Sequence, residues 1–196
     1  MSRKYHYYKI YKPYGVLSQF TDSQKRPTLK GLFEFPVNVY PVGRLDMDSE
    51  GLLILTDDKS LTDFLLNPVY KHTREYFVQV EGIPDENSLK LFKEGIIVKE
   101  KRTLPAEAEL INTPLLPSRN PPVRYRKNIP DSWIKITLTE GKNRQVKRMT
   151  AAIGFPTLRL VRIRVENINL NSMIPGEVRE LSDIEIKGLV RIKGRR

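Results

Sequence analysis

The sequence predicts an α+β fold built on many short strands. Three observations carry that prediction. Several segments alternate apolar and polar residues with the two-residue period of a half-buried strand, others repeat apolar residues at helical spacing, and the two kinds follow one another irregularly. Alternation over 5–12 and the run GVLSQF (15–20), split by Pro13, Tyr14 and Gly15, predict two strands around a turn. A short helix follows around TLKGLFEF (28–35). Strands at VYPVGR (39–44) and GLLILT (51–56) then flank the polar segment Leu45 to Glu50, which reads as a loop between two buried elements. SLTDFLLN (60–67) has helical spacing and REYFVQVEG (74–82) alternates as a strand. IPDENSLKLFKEG (83–95) opens with Pro and Asp and closes with Gly, as a capped helix does. IIVKE (96–100) and AEAELIN (106–112) predict further strands. Residues 115–132, with four prolines and four basic residues, break all periodicity and predict a long loop of the kind that often carries function. WIKITLTEG (133–141) alternates as a strand, NRQVKRMTAAIG (143–154) is helical with a terminal Gly, and TLRLVRIRVENINL (157–170) is again strand-like. The end, KGLVRIKGRR, reads as a basic, mobile arm.

Composition narrows the function classes. At 196 residues the chain suffices for one well-cored catalytic unit, or for two small lobes sharing one sheet. No apolar run approaches the ~20 residues a bilayer crossing needs, and the basic start is not followed by the apolar region of a secretory signal. A cytoplasmic monomer is expected, with no membrane association and no obligate protein partner. Zero cysteines exclude disulfides and thiolate chemistry, and two isolated histidines, His6 and His72, leave no metal site of the Cys or His kind. The chemistry must therefore come from carboxylates, hydroxyls and basic groups.

Charge points to the partner. The net charge is +11, and the stretch from Leu115 to Arg164 alone holds twelve basic residues against two acidic ones. A solubilising surface usually mixes both signs, so this concentration reads as a footprint for a polyanion, a nucleic acid above all. Its candidate members are Arg119, Arg124, Arg126 and Lys127 in the long loop, Lys142, Arg144, Lys147 and Arg148 around the start of a helix, and Arg44 beside the acidic loop. Helix N-termini and basic side chains both attract phosphates.

Asp46 and Asp48 lie in GRLDMDSEGLLILTDD (43–58), held between two buried strands. A carboxylate nucleophile must be ionised and fixed, and a cationic neighbour favours its charged form. The same two acids could equally cap backbone N–H groups of the turn, or offer oxygens to a hard metal ion. Tyr76 and Phe77 point to opposite faces of their strand, so one ring faces the core and the other a surface where it could stack on a base.

Taken together, KPYGVLS (12–18), GRLDMDSEGLLILTDD (43–58), REYFVQV (74–80), EGKNRQVKRM (140–149) and GFPTLRLVR (154–162) resemble the pseudouridine synthases, in particular the branch acting on ribosomal RNA. The resemblance spans nearly the whole chain. It implies a mixed, largely antiparallel central sheet with flanking helices and an active site in a basic cleft. It further implies isomerisation of a flipped-out uridine, expected in 23S large-subunit RNA, with no metal or other cofactor. Asp46 would be the nucleophile, Tyr76 would pack on the base and help move its C5 proton, and Lys147, where many relatives carry arginine, would pair with Asp46, with the adjacent Arg148 as the alternative partner. Many relatives begin with an S4 RNA-binding domain, whereas this sequence opens on the first catalytic strands, so grip on RNA is expected from the catalytic domain itself. Two other readings follow from the residues alone. One is a non-catalytic RNA-binding protein with a structural Asp46, and the other a metal-dependent enzyme using Asp46 and Asp48.

Overall fold

The computed structural model describes residues 5–124 and 129–194. Its strands and helices, in chain order, are β1 (Tyr7–Lys12), β2 (Tyr40–Pro41), β3 (Glu50–Thr56), α1 (Lys59–Leu66), β4 (Arg74–Glu81), α2 (Glu86–Glu94), β5 (Ile97–Val98), β6 (Lys101–Arg102), β7 (Glu107–Ile111), β8 (Asp131–Leu138), α3 (Gln145–Ala152), β9 (Thr157–Val165), β10 (Ile168–Asn169), β11 (Val178–Glu180) and α4 (Asp183–Gly194). The main sheet runs β11-β1-β3-β9-β4-β8-β7, with β2 beside β3 and β10 beside β9, while β5 and β6 form a separate hairpin. Every pairing in it is antiparallel except that of β3 with β9. The mixed, largely antiparallel sheet with flanking helices is the one the sequence led us to expect.

The parallel pairing is a seam between two antiparallel halves. One half contains β11, β1, β2 and β3; the other contains β9, β10, β4, β8 and β7. At the seam Glu50 lies opposite Val161 and Gly51 opposite Arg162. Gly51 has φ +106°, and a Cβ there would stand 2.3 Å from the Arg162 carbonyl oxygen, so only glycine lets the two backbones meet. A buried ion pair reinforces the crossing: the Arg159 guanidinium donates to both Glu50 carboxylate oxygens at 2.8 and 2.9 Å.

β3 is buried along its whole length because both faces are covered. Leu52 and Ile54 pack with Phe64 and Leu65 of α1 and Leu189 of α4, while Leu53 and Leu55 pack on the other side with Tyr8, Leu29 and Val39. In the second half, Val78 and Val80 of β4 and Ile134 and Ile136 of β8 meet Phe92 of α2 and Val146 and Met149 of α3. Asp58 caps α1 by accepting from the Ser60 and Leu61 N–H groups, and Asp85 caps α2 through Ser88.

Four segments differ from the sequence reading. GVLSQF is irregular apart from one bridge, Leu17 with Thr28, because Val16 and Leu17 turn into the core instead of alternating along a ladder. TLKGLFEF yields only a single 3-10 turn at Leu29–Gly31, and VYPVGR only the short β2. The expected basic arm, as far as Gly194, belongs to helix α4: Leu189 is buried, Ile186 and Ile192 pack on the core, and Lys9 forms an ion pair with Glu185. Its apolar stripe is interleaved with lysines and arginines, which disguised it.

Candidate active site

Asp46 stands in the turn that leads into β3, directly at the seam. The backbone of this turn is tied to other segments. The Ser18 hydroxyl accepts from the Leu45 N–H at 3.0 Å and donates to the Leu45 carbonyl at 2.8 Å. The Gly15 N–H reaches the Met47 carbonyl at 2.8 Å, and the Ser49 N–H closes back on the Asp46 carbonyl at 3.0 Å. Lys147 of α3 donates to the Asp48 carbonyl at 2.9 Å. The KPYGVLS segment thus acts as a brace for the acidic turn, a role that its motif did not spell out.

The two aspartates have different surroundings. Asp48 is saturated: Arg144 donates to both its oxygens at 3.0 Å, and the Lys147 ammonium lies 2.8 Å from one of them. Burial pushes its carboxyl upward, but the hydrogen bonds from Arg144 and Lys147 outweigh it and hold the group at about 2. Asp46 has Arg144 as its nearest cation, at 3.7 Å, beyond hydrogen-bond range; buried Lys12 and Lys147 act on it only through their charge, and no donor reaches its carboxylate among the described residues. Its side chain is 29% exposed. Exposure does not separate the two; one acid is a fastener, and the other keeps its lone pairs free.

That free carboxylate faces a cavity of about 770 Å³ lined by Arg44, Asp46, Tyr76, Lys142, Arg144 and Leu160, among others. Tyr76 is 8% exposed; it belongs to the core of the second half and also forms part of the cavity wall, so packing and contact with a ligand are both open to it. Behind the α3 cations, buried Glu140 holds the preceding turn, accepting from the Leu104 N–H at 2.9 Å and from the Gln145 side chain, and pairing with Lys142 at 2.8 Å. Gln145 in turn accepts from the Lys142 N–H at 2.8 Å. Arg144 sits just before α3 with φ +50°, a left-handed conformation that starts the helix.

The expected pairing of Lys147 with Asp46 is not the arrangement found. Lys147 serves Asp48 instead, and burial pushes its ammonium below the usual lysine range. Arg148 bonds Asn143 at 2.8 Å, and the cation nearest Asp46 is Arg144. Arg44 lies exposed on the same cavity with no partner among the described residues. Arg119 is turned inward: it stacks 4.3 Å over the Tyr14 ring and donates to the Pro121 and Pro122 carbonyls at 2.8 Å. Arg124 is exposed, while Arg126 and Lys127 lie outside the described residues. Among the described residues no group of three His, Asp or Glu side chains could hold a metal ion, and no helix is long and apolar enough to cross a membrane.

Comparison with known proteins bears on this geometry. The family described as RNA pseudouridylate synthase matches residues 6–152. The ribosomal large subunit pseudouridine synthase E of Vibrio parahaemolyticus is 51% identical over 171 residues, 87% of this chain and 71% of the relative. The ribosomal large subunit pseudouridine synthase B of Bacillus subtilis is 36% identical over 93% of this chain and 70% of its own. Among solved structures, a pseudouridylate synthase crystal structure superposes with a TM-score of 0.79 at 29% identity, covering 95% of this chain and 74% of that one.

Proposed function

The chain belongs to the RNA pseudouridylate synthase family, and from that premise we propose that it converts a uridine of 23S large-subunit ribosomal RNA to pseudouridine, with Asp46 as nucleophile. The observation that carries the reading is the contrast between the two acids: Asp48 is engaged by Arg144 and Lys147, while Asp46 presents unengaged oxygens to a cavity walled by Tyr76. A nucleophile needs the second condition.

The uridine leaves its stack and enters the cavity, at a cost of about a few kcal/mol that phosphate contacts from Arg44, Lys142 and Arg144 offset. The base lies against Tyr76. Asp46 attacks the uracil ring or the ribose and forms a C–O bond, the N1–C1′ bond breaks, the base turns, a C5–C1′ bond forms, and the bond to Asp46 breaks to return the free carboxylate. The C5 proton then leaves to solvent by way of the Tyr76 phenol, and N1 regains a proton, so that atoms and charge balance. Arg144, 3.7 Å away, steadies the Asp46 charge without masking the attacking oxygens. The isomerisation consumes no co-reactant, and we place it in the cytoplasm, carried out by a monomer without metal or cofactor.

The test is tritium release from ribosomal RNA carrying 5-tritiated uridine, in EDTA, with wild-type protein beside Asp46→Asn. Release by wild type and none by the variant is expected. Equal release from both would remove Asp46 from the mechanism, and loss of wild-type release in EDTA would point to a metal-dependent enzyme instead.

A further inference from the structure

A second cavity, about 920 Å³ in volume, adjoins the catalytic one and has no part in the chemistry above. Ser18 lines both. Two chain segments run from one into the other: Leu17 borders the catalytic cavity and Gln19 the second, and Gly43 borders the first while Pro41 borders the second. At ~3.5 Å of chain per residue, the two spaces lie within about one nucleotide of each other.

The second cavity is aromatic. Phe20 meets Phe35 edge-on at 5.6 Å and Tyr40 at 6.1 Å, and Phe33 meets Phe35 at 4.9 Å. Buried rings in such a nest are ordinary packing. Here, however, Tyr40 is 62% exposed and Phe33 41%, which leaves ring surface in water that packing alone would have covered. The charged side chains lining the space are one of each sign, Lys30 and Glu34, so it offers little to a phosphate and much to the flat face of a base. A cation free to meet a phosphate lies on the catalytic side: Arg44 follows Gly43, lines the first cavity, is exposed, and has no partner among the described residues.

We infer that this cavity receives an unpaired base of the substrate RNA next to the isomerised uridine, stacked on Tyr40 and Phe33, with Arg44 on the phosphate between them. The inference rests on the isomerase reading. A chain of charge +11 whose aromatic cleft opens beside its active site suits a continuing RNA strand better than an apolar protein segment.

The test uses the full chain and two probes. On tritiated large-subunit RNA, Tyr40→Ala should raise KM by roughly 5- to 150-fold, the range of one base–aromatic stack, with kcat within about twofold of wild type, and Tyr40→Phe should restore KM. On an oligouridylate carrying one 2-aminopurine, wild type should quench the fluorescence and Tyr40→Ala should not. Tritium release with unchanged KM in both Tyr40→Ala and Phe33→Ala would overturn this site and leave the isomerase reading intact. Tyr40-dependent quenching without tritium release from any RNA would uphold the site and sink the isomerase reading. Tyr40-independent quenching would overturn the site.

Discussion

The buried pair at the seam makes a quantitative prediction. Glu50 and Arg159 are 2% and 7% exposed, in two-point contact, and the Arg159 guanidinium has one further acceptor, the Pro117 carbonyl at 2.9 Å. Replacing Glu50 with Leu strands a buried guanidinium. Breaking such a pair costs about 3–5 kcal/mol, and the surviving Pro117 bond puts the expected value near the lower end, about 3 kcal/mol. Replacing both partners, as Glu50→Leu with Arg159→Met, removes the stranded guanidinium; it leaves the Pro117 carbonyl short of a donor and buried Lys12 without the Glu50 charge, a deficit the Glu50 single variant shares, for a loss of about 1–3 kcal/mol. The double variant should therefore be more stable than the Glu50 single variant. Urea unfolding followed by tryptophan fluorescence and circular dichroism measures all four members of the cycle. Additive losses from the two single substitutions would refute the reasoning, since they would mean that the ions do not act on one another across the seam.

Two further predictions concern the same corner of the molecule. Gly51→Ala should lower stability by more than about 3 kcal/mol and abolish tritium release, because the added Cβ meets the Arg162 backbone and forces β3 off β9; near-normal thermal stability would contradict the contact. Asp48→Asn should destabilise the protein at neutral pH, by an amount that shrinks between pH ~4 and ~2. The folded carboxyl, held at about 2, lies below its unfolded value, so its contribution is present above the unfolded value and lost as pH falls through the folded one. A wild-type minus variant difference in Tm that stays constant over that range would show that Asp48 carries no such ionic role.

Much of this was legible in the sequence, for reasons that can be named. β4 and β8 alternate cleanly because one face of each lies on α2 and α3, so the two-residue period survives. Asp85 and Gly95 punctuate α2 with little ambiguity. β3, buried on both faces, shows an apolar run instead of a period, and its neighbours in sequence defined it. β11 escaped notice because three residues carry no period, and α4 because its charge masked its stripe. At the site, Asp46 was singled out by its motif, but local sequence could not rank it against Asp48. What separates them is Arg144, which is far away in the chain and arrives only through the seam and the turn before α3. For the same reason the motif offers Lys147 or Arg148 as a cation for Asp46 without saying which carboxylate either reaches; in the fold the Lys147 ammonium contacts Asp48. Ser18 and Gln145 were inside quoted motifs and were silent, since a hydroxyl or amide acquires a role only when a backbone is brought to it.

The order of the strands also orders the birth of the protein. The half containing β4, β7, β8, β9 and β10 comes from one continuous stretch, Arg74–Asn169, and can close as soon as that stretch leaves the ribosome. The other half cannot: Tyr8 of β1 pairs with Glu180 of β11, and α4 covers the core beneath. Until those late residues appear, β1 offers a bare edge able to pair with whatever strand it meets. Asp46 is joined to that waiting half, while Arg144 belongs to the one already closed. A nascent chain would thus carry its basic surface first and its assembled acid last, so that attraction to RNA precedes any power to alter it.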